Sequence, residues 1–310
     1  MDVLVLGSYI HANSLSVRRL PQAGESIQAD RLWVEHGGKG LNLAVGMHRL
    51  GLQVGILLAI GDDAPGRALL QFLQTEGMDT NQIVLTDDNS GFGVGLVSPD
   101  GSNVIAIYPG ANARLDAAHV RAGAAKLGQC RMVCAQFEIP DAPILEAFLL
   151  ARQYGTPTLL APSPWRTPHP ALLPLTDILV LNETEAMAMF DIESNQKPTI
   201  TDWLRCLPAL AWQGKLLVIT LAEQGCVTRQ ADGECHHVPA WAIEAADPTG
   251  AGDAFTAGLA CALLAGHALT PALRFANACG AQVAARTGVV AALPRLKQVE
   301  SFMQASLPAA

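Results

Sequence analysis

Short apolar runs at residues 3–6, 54–60, 132–136, 158–161, 178–181 and 216–221 alternate with stretches of helical periodicity, and this rhythm constrains the fold most. Each run is strand-length and lacks the polar alternation of a half-exposed strand, so each predicts a strand buried on both faces. Helices are expected at 40–50, after a glycine pair, at 66–76, after Pro65, and at 143–154 and 254–264. Buried strands separated by helices imply an α/β fold of three layers, a mainly parallel central sheet with helices on both faces. Two segments break the rhythm, about 11–35 with Pro21 and Gly24, and about 91–108 with the turn Pro99-Asp100-Gly101. Both alternate like antiparallel strands and predict a small inserted β-sheet that acts as a lid.

With 310 residues, half of them hydrophobic, the chain can bury a large core without disulfides or metals. Nothing resembling a linker, repeat or charge block divides it, so residues 1–310 read as one domain carrying the lid. A net charge of −8 with interspersed signs argues against nucleic-acid partners. Without a basic leader or an apolar run of about 18 residues, no membrane association and a cytoplasmic location are expected. The seven cysteines form no CxxC pair and read as reduced core residues. Cys235-His236-His237 reads as strand rather than metal site, because adjacent residues on a strand point to opposite faces.

The segment Asp247-Pro248-Thr249-Gly250-Ala251-Gly252-Asp253 carries the most chemistry. Gly250, Ala251 and Gly252 are small enough to let the backbone turn its N–H groups toward one spot, where the following helix adds its positive end. That makes an anion hole. Beside it, an ionised Asp253 can accept a proton from an attacking hydroxyl while charge builds on a phosphoryl group. A plain glycine turn capped by an acid is the structural alternative.

A second glycine turn, Gly37-Gly38-Lys39-Gly40-Leu41-Asn42, leads into a helix and places a cation and an amide where hydroxyls or phosphate can bind. It lacks the spacing of a Walker A loop, and Gly91, Gly93 and Gly95 lack that of a dinucleotide fingerprint. Asn182-Glu183-Thr184-Glu185 ends a strand, where parallel sheets gather ligands. Asn182 and Glu185 also fit a capping box, and Glu185 can orient a water on Mg²⁺.

Over essentially its whole length the chain resembles the ribokinase-like (PfkB) carbohydrate kinases. The resemblance rests on Gly37-Gly38-Lys39-Gly40 and the 247–253 segment, with Gly7-Ser8, Gly61-Asp62-Asp63, Gly110-Ala111-Asn112, 182–185 and 220–225 in matching order. It implies an ATP-dependent, Mg²⁺-requiring phosphotransferase acting on a small sugar or sugar-like molecule, with Asp253 as base and 250–252 as anion hole. Gly38, Lys39, Asn42 and Glu138 are implied in acceptor binding, and Asn182 and Glu185 on the phosphate and Mg²⁺ side. Thr220 and Gly225 would line the nucleotide groove, with Asn277 near the adenine. Asp247 and the backbone of Thr249 match a loop for a monovalent cation such as K⁺.

Ribokinases carry an Asn and an Asp that hold sugar hydroxyls where this chain has Ile10 and Ala12. A one-residue shift brings His11 and Asn13 into register, Asn13 then joining the acceptor site, but requires a gap before Gly24-Glu25. Each charged hydrogen bond lost costs about 1.5–3 kcal/mol, so ribose itself is not the expected acceptor. Ala161 and Ala222 are further departures, at an Asn and a Gly position. Tyr9, Phe92 and Trp165 are candidates for apolar contacts to the acceptor. A nucleoside kinase and a non-catalytic sugar-binding regulator are the alternatives on this scaffold, and an apolar lid face favours a homodimer.

Overall fold

The computed structural model describes residues 1–99, 103–193 and 197–305. Its strands are β1 (Val3–Leu6), β2 (Ile10–Ser16), β3 (Arg31–Gly37), β4 (Val54–Gly61), β5 (Ile83–Thr86), β6 (Phe92–Val97), β7 (Asn103–Tyr108), β8 (Met132–Gln136), β9 (Thr158–Ala161), β10 (Ile178–Asn182), β11 (Leu216–Thr220), β12 (Cys226–Gln230) and β13 (Cys235–Val238). Its α-helices are α1 (Lys39–Arg49), α2 (Ala64–Glu76), α3 (Ala117–Ala122), α4 (Ala124–Leu127), α5 (Asp141–Tyr154), α6 (Glu183–Met189), α7 (Ile200–Cys206), α8 (Ala251–Leu264), α9 (Leu269–Ala284) and α10 (Leu296–Ala305).

Nine strands form the main sheet in the order β13-β12-β11-β10-β9-β8-β1-β4-β5. Pairing is parallel from β11 to β5, while β12 and β13 add an antiparallel edge. The period of two along a strand divides β1 between two cores. Val3 and Val5 pack with α1, α2, α8 and α9 on one face, whereas Leu4 and Leu6 pack with α3 to α7 on the other. The apolar runs were therefore continuous because both faces are covered, as expected of an α/β sheet.

Backbones meet where β1 ends. A methyl on Gly40 would lie 2.1 Å from the Cα of Gly7, and one on Gly7 would lie 2.3 Å from the Cα of Gly40. Leu41 N–H donates to the Ser8 carbonyl at 3.1 Å, and Gly38 takes φ 103°, which glycine alone adopts freely. The start of α1 is thereby fastened to the end of β1.

Four strands form the second sheet, in the order β3-β2-β6-β7. Two antiparallel pairs, β2 with β3 and β6 with β7, are joined through a parallel β2–β6 seam, so the wholly antiparallel expectation is corrected at that seam. Asp100 and Gly101 of the expected turn lie outside the described residues. The seam places Ala12 opposite Gly93, and the antiparallel partner places it opposite Glu35. Ile10, Ala12, Glu35, Gly93, Ile105 and Ile107 thus share one face; His11, Asn13, Phe92, Val34 and Tyr108 share the other.

Among the cysteines, five are buried and Cys206 and Cys235 half-buried, all of them free thiols. No helix of the described residues is long and apolar enough to cross a membrane.

Candidate active site

Helix α8 starts three residues earlier than the apolar pattern suggested, because Gly250 caps it in a left-handed conformation (φ 80°). Asp253 therefore lies in the first turn, only 9% exposed. Its Oδ2 accepts from Asn42 Nδ2, in the first turn of α1, at 2.8 Å. Its Oδ1 receives no donor from a described residue and is free to take a proton.

The amides left without a partner at the start of α8 differ by one position from the three residues expected to form an anion hole. The Ala251 N–H is spent on the Pro248 carbonyl at 3.1 Å, closing the turn. Gly250, Gly252 and Asp253 keep N–H groups without a partner among the described residues, at the positive end of a 14-residue helix. Such an end binds anions.

Glu138 and Lys39 extend the site toward β8. One oxygen of Glu138, Oε2, accepts both from Ser8 Oγ and from the Lys39 N–H, the latter at 2.7 Å. Gln136 Nε2 holds the Lys39 carbonyl at 2.9 Å. Burial raises the Glu138 pKa above that of an ordinary carboxyl; these two donors and the Lys39 ammonium oppose the shift, and the Asp253 charge adds to it. The Lys39 pKa is raised too, first by Asp253 and, against burial, also by Glu138 and Glu185. One ammonium thus lies in the field of three carboxylates drawn from α8, the end of β8 and α6.

At the end of β10 the capping box is present in both directions: Asn182 Oδ1 accepts from Glu185 N at 2.8 Å and Glu185 Oε2 accepts from Asn182 N at 2.9 Å. Glu185 is nevertheless only 6% exposed, and its Oε1 has no donor among the described residues. The cap and the electrostatic role coexist in one side chain. Thr220 Oγ1 donates to the Leu181 carbonyl at 3.3 Å, and Gly225, at φ 89°, approaches the Val238 carbonyl so closely that a methyl would lie 2.1 Å away. Asn277 donates to the Val238 and Pro239 carbonyls at 3.3 and 3.1 Å, fixing the chain after β13. Asp247 Oδ1 accepts from Thr249 N at 3.0 Å, and Ala246 and Asp247 both donate to the Ala284 carbonyl, which ties this loop to the end of α9.

The second sheet reaches the site through Glu35, whose Oε2 accepts from Val289 N at 3.0 Å. Val289 in turn packs on Gly250, where a methyl would lie 2.4 Å from Val289 Cγ1. The sheet face shared by Ile10, Ala12, Glu35 and Gly93 is therefore the one turned toward α8, and the Cγ2 of Ile10 lies against Gly93. Asn13 lies on the opposite face with its amide on the His11 carbonyl at 3.3 Å, so the structure does not bring it to Lys39, Asn42, Glu138 and Asp253. Tyr9 is fully buried, its hydroxyl shared between His36 Nδ1 and the Pro65 carbonyl, which corrects its assignment as an acceptor contact. Phe92 shares the far face with His11, and Trp165 is half-buried in the loop after β9.

Sequence reasoning did not assign Ser8, Gln136, Glu35 or Arg166 to this site. Their partners, which for Arg166 are the Phe137 and Ile139 carbonyls and Asp141, lie 25 to 254 residues away, and only the strand-end positions of Ser8 and Gln136 hinted at them.

A model of the pfkB family carbohydrate kinases matches residues 1–296. The chain belongs to that family. It is accordingly a carbohydrate kinase, a phosphotransferase. The chain is 30% identical over 302 residues to the ribokinase of Bacillus subtilis, covering 97% of this chain and 99% of that one. It is 33% identical over 261 residues to the ribokinase of Mus musculus, covering 83% and 80%. The solved structure of Arabidopsis thaliana ribokinase complexed with ribose and ATP superposes with a TM-score of 0.87 over 98% of both chains, at 26% identity.

Proposed function

We propose that this kinase transfers the γ-phosphoryl group of ATP to a hydroxyl of a small sugar-like acceptor, with Asp253 as base. The observation that carries this reading is Asp253 with one oxygen fixed by Asn42 and the other free, beside unpartnered amides at the start of α8. The acceptor hydroxyl gives its proton to Oδ1 as its oxygen bonds to the γ-phosphorus; the bond to the β–γ bridging oxygen breaks and ADP departs. Charge on the transferring group meets the free N–H groups of Gly250, Gly252 and Asp253. Lys39, Asn42, Glu138 and the Gly38 turn hold the acceptor. Asn182, Thr220, Gly225 and Asn277 border the nucleotide side. Glu185, a buried carboxylate with a free oxygen, suits water-mediated Mg²⁺, which prefers oxygen and retains waters. Asp247 and Thr249 offer oxygens for K⁺.

The relatives' names point to ribose, but the lid face turned toward α8 presents Ile10, Ala12 and Gly93, which offer no side-chain hydrogen bond to a sugar, and Glu35, whose Oε2 is engaged by Val289 N. We read the acceptor as a molecule other than ribose, with fewer polar groups on its lid-facing edge. The same lid leaves Leu32, Val34, Val104, Ile105, Ile107 and Tyr108 each about half exposed or more, and a homodimer through this sheet would cover them.

A coupled ADP-release screen over pentoses, deoxypentoses, hexoses and nucleosides, with K⁺ or Na⁺, tests the reading. Turnover with a sugar-like acceptor that Asp253→Asn abolishes supports it; normal turnover in Asp253→Asn overturns the base. Preference for ribose over all other acceptors would overturn the acceptor reading, and a monomer by light scattering would overturn the dimer.

A further inference from the structure

The backbone around Glu138 is held in an unusual way. One guanidinium, that of Arg166, donates through NH1 to the Phe137 carbonyl and through NH2 to the Ile139 carbonyl at 2.9 Å, the two carbonyls that flank Glu138. The same NH2 pairs with Asp141 Oδ1, and the guanidinium carbon lies 4.2 Å from the centre of the Phe137 ring. Phe137 N–H donates to the Ser163 carbonyl at 3.0 Å, so the loop carrying Arg166 is itself tied to this segment. On the other side, the fully buried Ser8 donates its hydroxyl to Glu138 Oε2 and accepts from Gly40 N at 3.4 Å. With Ser8 and the Lys39 N–H both on Oε2, Glu138 Oε1 is left without a protein donor among the described residues.

We propose that Ser8 and Arg166 are positioning residues that hold Glu138 from front and back so that Oε1 alone faces the acceptor. This rests on the reading of Glu138 as an acceptor-binding group. A planar fork spans two carbonyls at once, which a lysine ammonium on a flexible stem does not reproduce. The Ser8 hydroxyl does two things: it fixes the carboxylate rotamer and it donates to the ionised form. The charged groups facing Glu138 are the Lys39 ammonium and the Asp253 carboxylate, and along its own segment Asp141 paired with Arg166. Removing the Ser8 donor leaves burial less opposed, so the carboxylate takes up a proton at higher pH.

The test measures the full-length enzyme with its best acceptor from the ADP-release screen, as KM for acceptor, KM for ATP and kcat across pH. Ser8→Ala is expected to raise the acceptor KM about tenfold, leave the ATP KM unchanged and move the acid limb of kcat/KM upward in pH. Ser8→Cys, which keeps shape and a weak donor, recovers part of both effects. Arg166→Lys raises the acceptor KM without moving the acid limb, and its circular dichroism and unfolding midpoint separate this from misfolding. Adding Ser8→Ala to Glu138→Gln has no further effect on the acceptor KM. If Glu138→Gln leaves the acceptor KM unchanged, the acceptor-site reading itself fails. If Glu138→Gln raises it while Ser8→Ala and folded Arg166→Lys leave it at the parent value, the positioning proposal alone is overturned.

Discussion

Asn42 Nδ2 and Asp253 Oδ2 meet at 2.8 Å across 211 residues of sequence, joining the first turns of α1 and α8. This bond engages Oδ2 and leaves Oδ1 without a donor among the described residues, the oxygen that the proposed mechanism gives to the acceptor hydroxyl. It also makes the two glycine turns one site.

Asn42→Asp would set a second carboxylate against Asp253, and like charges so placed share a proton. A fall in kcat of about 10²-fold near pH 7 is expected, against roughly tenfold for Asn42→Ala, which frees the base without protonating it. ADP release under saturating ATP and acceptor reads both.

Glu138 gives a pH signature of definite sign. Its folded pKa is raised by burial, so its contribution to stability is present at low pH and lost as pH rises through the folded value. Above the folded value the charge costs stability. Glu138→Gln should show a Tm at or above the parent's at pH 7, a weaker acceptor interaction, and an acid limb of kcat/KM that no longer lies above the usual carboxyl range.

Far from the chemistry, Arg49 grips Glu76 with two nitrogens, at 3.2 and 2.7 Å, and donates its NH1 to the Val290 and Leu293 carbonyls. Both side chains are 11% exposed, and Arg295 adds a contact at 3.2 Å. Glu76→Gln leaves a buried guanidinium short of a counter-charge and should cost about 2–4 kcal/mol in urea unfolding at pH 7. Arg49 holds the Glu76 pKa below its ordinary value, so the pair's stabilisation is present above that value and lost as pH falls through the folded one. The gap between parent and variant should therefore narrow below about pH 4.5.

Gly250→Ala tests the cap of α8. The residue takes φ 80°, and the new methyl would meet Val289 Cγ1 at 2.4 Å. A left-handed alanine costs about 1–2 kcal/mol and the clash adds to it. Since Gly250 aims the free amides, kcat should drop by about 10²-fold or more while the protein still folds, as thermal unfolding and ADP release together would show.

Sequence pattern revealed the main-sheet strands that are buried on both faces, because burial leaves continuous apolar runs. It did not reveal β12, whose Arg229 and Gln230 are partly exposed and break the run. It placed α8 late because Ala251, Gly252 and Asp253 carry no apolar periodicity, although they already wind as helix from a glycine cap. Lys39, Asn42 and Asp253 were legible as types suited to the expected chemistry, and Glu138 through the family resemblance alone. The bond between Asn42 and Asp253, the Glu35 strut from lid to Val289, and the two-carbonyl grip of Arg166 were not, since each joins residues that only the folded chain brings together. The parallel lid seam was hidden similarly: alternation fixes which residues share a face, not which strand lies alongside.

The Gly7–Gly40 contact leaves no room for a side chain on either backbone and ties the Gly38–Lys39 turn to the end of the first strand. Adaptation to a different acceptor in this scaffold has little freedom to remodel that turn. It falls to the strands of the second sheet, where Ile10 and Ala12 stand outside the Gly7–Gly40 contact. The phosphoryl-transfer end would then be inherited nearly unchanged between enzymes of different taste, and a change of diet would be written in a few strand positions.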